Sequence, residues 1–265
     1  MKFLLLNGSP RKGGNTAETL GLLGEALRER LGERGREFSA ETLHISDLDI
    51  RPCRGCRACF HRGEEACPLK DDLLGIHERI RAADCAVLAS PVYVNDVSGS
   101  VKTLIDRLAF VCHRPQYWST PFYLVVTTGG TPFRHTLRTL QSAAVSWGAP
   151  LAGSSGYVTG ALSSREEIKK RHGERIRKSA DKLAGHLTGR KRSDPGFMAL
   201  TVFSAQQASW KRELDKAGYD TADGRYWAAE GLLDRRSTYF TDHKAGKIKT
   251  ALARGFGRVI SMFLT

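Results

Sequence analysis

From Lys2 to Leu6 the apolar residues run without alternation, the pattern of a strand buried on both faces rather than one with a wet side. A glycine-rich turn follows, and then Leu20, Leu23, Leu27 and Leu31 recur at helical spacing from Thr16 to Leu31, with Gly32 and Gly35 as stops. The same alternation continues downstream. Strands are predicted at Glu37–Leu43, Cys85–Ser90, Phe122–Thr128 and Pro150–Gly156. Helices are predicted from Asp71-Asp72, whose carboxylates suit a helix N-terminus, to Ala83, and at Ser100–Phe110, Phe133–Trp147 and Ser164–Leu187. Five strands alternating with five helices specify an α/β fold, a three-layer α/β/α domain around a five-stranded parallel sheet, because right-handed crossovers place helices on both faces. Ligands of such sheets sit beyond the carboxyl ends of the strands, and three loops, after Leu6, Ser90 and Thr128, fall on that edge.

The polar, breaker-rich stretch Gly189–Gly196 is the natural boundary. It divides a domain at residues 1–188, with a cysteine-rich loop at 51–69, from an extension at 189–265. The extension is mainly helical in pattern. It carries Trp210, Tyr219, Tyr226-Trp227 and Tyr239-Phe240, then a closing helix with Ile248, Leu252, Phe256, Val259, Ile260 and Phe263 beside Lys244, Lys247, Lys249, Arg254 and Arg258. A segment this short is not expected to build an independent core. Packing on the first domain or on a second subunit is the expectation preferred over an amphipathic helix lying on a membrane surface.

Composition narrows the class without deciding it. The 265 residues are 41% apolar and 26% charged, ordinary for a globular chain. No run approaches a membrane span, the first residues lack a signal-peptide pattern, and six cysteines are too few for a secreted disulfide scaffold, so the cytoplasm is the expected compartment. A net charge of +13 favours acidic partners, phosphorylated cofactors among them. No nucleic-acid-binding signature accompanies it, and nucleic acid is not an expected partner.

Gly8-Ser-Pro-Arg-Lys-Gly-Gly-Asn-Thr16 lies between a strand and a helix, where backbone amides and the helix dipole favour a phosphate. Its spacing is neither that of a nucleoside-triphosphate loop nor that of a dinucleotide loop. At this motif the chain resembles the flavodoxin-like NADPH-dependent FMN reductase family. Ser90-Pro-Val-Tyr-Val-Asn95 and Thr127-Thr-Gly-Gly130 resemble its second and third flavin loops, so the resemblance extends over about residues 1–187. It implies FMN as cofactor. The phosphate would fall to Ser9, Arg11, Asn15 and Thr16, the ring to Pro91, Val92, Tyr93 and Asn95, and the pyrimidine end to Thr128, Gly129 and Gly130. It further implies a homo-oligomer, dimer or tetramer, with the flavin near a subunit interface.

Cys53-x2-Cys56-x2-Cys59-x7-Cys67 gathers four thiols in one loop. Four closely spaced cysteinates suit tetrahedral zinc or an iron–sulfur cluster, and unliganded thiols or a disulfide pair are the plain alternative. The serial C-x2-C-x2-C start favours a cluster, although the last spacer is long. The combination resembles the iron–sulfur flavoproteins, in which a [4Fe-4S] cluster passes electrons to FMN. Arg51, Arg54, Arg57 and Arg62 around the loop would raise a reduction potential or dock an acidic ferredoxin, or are simply solvated. Cys85 and Cys112 read as packed thiols, and neither His61 nor His135 is singled out.

The reading that results is a flavin-dependent oxidoreductase. Electrons are expected from ferredoxin or NAD(P)H, through cluster and FMN, to a small acceptor such as a quinone, oxygen or peroxide. No catalytic acid or base is assigned, because the cofactor supplies the chemistry. The alternative is a cluster-free NAD(P)H-dependent FMN or quinone reductase whose cysteines hold structural zinc or remain free.

Overall fold

A computed structural model describes residues 1–189, 194–217 and 220–263. Residues 190–193 of the predicted boundary, and Tyr219, lie outside these.

Among the described residues five strands form one parallel sheet: β1 (Lys2–Asn7), β2 (Ser39–His44), β3 (Cys85–Pro91), β4 (Phe122–Thr128) and β5 (Leu151–Val158), in the order β2-β1-β3-β4-β5. Alternate residues of each buried strand feed two cores. Leu4 and Leu6 of β1, with Ala86 and Leu88 of β3, face one layer; Phe3 and Leu5, with Cys85 and Val87, face the other. The first core is covered by α3 (Leu73–Arg81), α4 (Gly99–Arg107), α5 (Ala109–His113) and α6 (Arg134–Ser146). The second lies under α1 (Asn15–Gly32) and α7 (Arg165–Thr188), which pack on each other. Ser164 caps α7 through a reciprocal capping box with Glu167.

The departures from the sequence reading have local causes. β2 begins two residues late and is half-exposed, as befits an edge strand. The helix expected at 100–110 breaks at Leu108 into α4 and α5. β5 runs past Gly156, which is no stop: a Cβ there would meet the Phe133 ring at 2.1 Å, so the residue is small to admit a neighbour. Inside the cysteine loop a short helix, α2 (Ala58–Arg62), and a 3-10 turn (Glu64–Ala66) replace the expected coil.

The extension holds α8 (Phe197–Ala217), α9 (Ala222–Ala229) and α10 (Lys247–Ser261). Contrary to expectation it gathers a small core of its own, with Leu200, Phe203, Trp227 and Tyr239 buried. The same element also meets the sheet domain. Trp227 Nε1 donates to the His113 carbonyl at 2.7 Å, Tyr226 donates to that of Pro115, and Tyr239 to that of Gly148 at 3.3 Å. Aromatic side chains make this possible, since each buries a large apolar body yet still places a polar tip against backbone. No helix of the described residues is long and apolar enough to cross a membrane.

Candidate functional site

In a sheet of order 2-1-3-4-5 the connections from β1 and β3 leave in opposite directions, which opens a crevice at their carboxyl ends. The first loop is held rigidly there. Gly8 donates to the Ala89 carbonyl at 2.8 Å, and a Cβ on Gly8 would meet that oxygen at 2.6 Å and Val101 Cγ2 at 2.1 Å. Ser98, whose hydroxyl also caps α4, donates to the Gly8 carbonyl at 2.6 Å. The Asn7 carboxamide accepts from the Ser9 amide at 3.0 Å and is itself fixed by His44 at 2.8 Å.

These supports bring the loops of three predicted segments to one pocket. It is lined by Ser9, Arg11, Asn15 and Thr16 from the first, Pro91, Val92 and Tyr93 from the second, and Thr128 and Gly129 from the third. Thr16 shares a hydroxyl contact of 2.7 Å with Thr127, and Asn15 donates to Thr159 Oγ1 at 2.9 Å. Arg11 reaches the Ala161 carbonyl at 3.4 Å. No side chain caps α1, so its first-turn amides are available to an anion.

Asn95 and Gly130 are not in the lining. Asn95 stands at the tip of the second loop with φ 67°, next to Val94 at φ 47°, and Gly130 donates from its amide to Thr128 Oγ1 at 3.3 Å. A β-branched residue in the left-handed region is uncommon and strained. Thr127, which the sequence reading placed in the third loop without a role, and Thr159, Gly160 and Ala161, which it passed over, complete the pocket. The last three follow β5, and the rule that ligands gather beyond strand carboxyl ends would have found them had that strand not been ended at Gly156.

The four loop cysteines line a second, separate cavity, walled by Phe60, Leu69, Leu73 and Phe110. Cys53 and Cys56 are exposed, Cys59 and Cys67 half-buried. The loop curls through left-handed positions at Gly55 and Arg57, and the Gly55 amide donates to Cys53 Sγ at 3.4 Å. Arg107, itself buried, points a guanidinium nitrogen at Cys67 Sγ at 3.9 Å while binding Asp71. Burial pushes the Cys59 thiol up to about 11, against the opposing pull of Arg114. Among the described residues no three His, Cys, Asp or Glu side chains are drawn into a metal-binding group. Of the arginines read from the sequence, Arg54 and Arg57 line the cavity and Arg51 binds Asp71 at 3.7 Å.

Sheet order, crevice and loop geometry define a flavodoxin-like α/β protein with a strand-end pocket. Residues 1–161 match the NADPH-dependent FMN reductase family. An iron–sulfur flavoprotein of Methanosarcina thermophila is 32% identical over 142 residues, which is 54% of this chain and 70% of that one. Another, from Archaeoglobus fulgidus, is 42% identical over 107 residues, 40% of this chain and 48% of its own, so that match spans about half of the relative. A solved structure of RosB with a bound intermediate, 8-demethyl-8-formylriboflavin-5'-phosphate, superposes with a TM-score of 0.53 at 17% identity. It covers 93% of this chain and 92% of that one, which reaches past the sheet domain into the extension. At that identity the likeness concerns fold alone. The chain belongs to the iron–sulfur flavoprotein and NADPH-dependent FMN reductase family of flavin-dependent oxidoreductases.

Proposed function

We propose that the chain is an electron-transferring iron–sulfur flavoprotein, built as a domain at 1–188 and an extension at 189–265, that binds FMN in the strand-end pocket. The observation that carries this reading is the convergence of three sequence-remote loops on one crevice at the β1/β3 switch point. The phosphate is held by Ser9, Arg11, Asn15 and Thr16 together with the first-turn amides of α1, where a dianion meets both a guanidinium and a helix dipole. Pro91, Val92 and Tyr93 take the ring and Thr128 and Gly129 its pyrimidine end, while Asn95 and Gly130 shape the same two loops from outside the lining. Bound there, the flavin supplies both hydride and single-electron chemistry. The protein orients it: Thr127 holds the Thr16 hydroxyl, and Thr159 with the Gly160 carbonyl holds the Asn15 carboxamide nitrogen, so neither side chain has to be ordered on binding.

The four cysteines suit a [4Fe-4S] cluster by their donor chemistry. Thiols face a common apolar-walled cavity, with an amide and a guanidinium already directed at sulfur, the contacts that stabilise charge on such ligands. Held by such a group, Cys59 would bind as the thiolate, its proton released on metal binding. Ferredoxin or NAD(P)H is the proposed donor, a quinone, oxygen or peroxide the acceptor, a homo-oligomer the working form and the cytoplasm its place. The second reading, a cluster-free NAD(P)H-dependent FMN or quinone reductase with zinc or free thiols, draws on the exposure of Cys53 and Cys56.

Assay of iron, acid-labile sulfide, zinc and FMN on protein purified without oxygen separates the two. About four irons and four sulfides per chain with FMN are expected, the metal lost and the flavin kept in Cys53→Ala. FMN with zinc, or with no metal, establishes the second reading instead.

A further inference from the structure

The closing helix is amphipathic in an inverted sense. α10 packs on α8 through its smallest residues: Ala253, Gly257 and Ser261 are buried, one turn apart on one face. Gly257 sits so close that a Cβ would meet the Thr201 carbonyl at 2.5 Å and the Ser204 Cβ at 2.6 Å. Ser204 Oγ donates to the Arg254 carbonyl at 3.1 Å and Arg212 donates to Ser261 Oγ at 3.0 Å, which locks the helix in this rotation. Its large apolar residues are therefore turned outward. Ile248, Leu252, Phe256, Val259, Ile260 and Phe263 are 44 to 82% exposed, and Phe197 of α8 extends the patch by an edge contact with Phe256, ring centroids 5.8 Å apart. A contiguous apolar face of this kind marks an interaction surface.

The charge beside it says what the partner is. From His243 to Thr265 the sequence has five lysines and arginines and no aspartate or glutamate. Lys247 and Arg258 are exposed on the flank of the apolar face. A second copy of the chain laid on the same face would bring five more cations from that segment and no carboxylate to meet them. An anionic lipid surface meets both features at once, taking the apolar face into the headgroup boundary and the cations against phosphate. We infer that α10 docks the protein on an anionic membrane surface, lying in the interface and not spanning it. The inference does not depend on the flavin or cysteine sites.

The test is flotation of the full chain with vesicles of phosphatidylcholine alone and of phosphatidylcholine mixed with phosphatidylglycerol, paired with its mass in solution. Binding is expected to the mixed vesicles, weakened by salt. Each cation removed in Lys247→Ala or Arg258→Ala should lower vesicle affinity about fivefold, and Leu252→Ser/Phe256→Ser should abolish it, with circular dichroism unchanged in both sets. The charge variants alter exposed positions and keep the experiment decisive should the serine pair unfold. Failure to bind mixed vesicles, or equal binding to neutral ones, overturns the inference. So does a solution oligomer that ignores vesicles and falls apart in the serine variant, which would assign the face to a second copy.

Discussion

Arg107 and Asp71 form a buried charged pair beside the cysteine loop, with contacts of 2.5 and 3.0 Å and side chains 2% and 1% exposed. The same guanidinium binds the Arg51 carbonyl and faces Cys67. Arg107→Met strands a buried carboxylate and should cost about 3–5 kcal/mol in urea unfolding, whereas Arg107→Met with Asp71→Leu should cost distinctly less. Two groups of side chains also set how stability depends on pH. Burial holds the His77 imidazole below its ordinary 6.5. As pH falls through 6.5 the unfolded chain takes up a proton that folded His77 refuses, and stability declines. At Asp71 and Asp96 burial pulls upward but is outweighed, chiefly by hydrogen bonds from Arg107 and Thr139, leaving both below 3.8. Their contribution is complete above about pH 4 and lost as pH falls through the depressed folded values. Urea midpoints against pH should fall in two stages, and His77→Gln should diminish the upper one alone.

Glycines fix how elements meet, and two of them can be tested directly. Gly257→Ala should force α10 away from α8 at a cost of about 1–3 kcal/mol, read as a lower melting temperature. Gly8→Ala should have a comparable cost and, because Ala89 and Val101 cannot yield without moving the first loop, should also weaken FMN binding in a fluorescence titration. The elements themselves were largely legible. Unbroken apolar runs at Lys2–Leu6 and Phe122–Thr128 have few alternatives to a doubly covered strand, and once the strands alternate with helices the sheet edge that carries the site follows. Nine of the eleven flavin-loop residues read from the sequence line the pocket for that reason. What escaped depends on packing rather than pattern. Gly156 looks like any terminator until the Phe133 ring is seen against it. The rotation of α10 turns on which residues Gly257 allows near α8, and periodicity alone places Phe256 and Ile260 inward.

The molecule as a whole is tied together at Arg114. From a side chain only 5% exposed it binds the Cys59 carbonyl at 3.0 Å, Glu64 at 2.7 Å and, across from the extension, Asp223, which also holds His113 at 2.7 Å. The His113 ring stacks on Phe60 of α2 with centroids 3.9 Å apart. The far end of the chain thereby braces the cysteine loop. Asp223→Ala leaves Arg114 short of one carboxylate and should cost about 3 kcal/mol. Hydrogen exchange should show amide protection lost in residues 58–67 and in α9 together; loss confined to α9 would mean that the brace carries no load. The brace also has a place in time. A chain emerges from the ribosome amino end first at roughly 5–20 residues per second, so Asp223 is made on the order of ten seconds after Cys67. Through that interval all four thiols are already synthesised while the clamp beside their loop is incomplete, so the newborn chain carries its cysteine loop without the brace that the finished protein gives it.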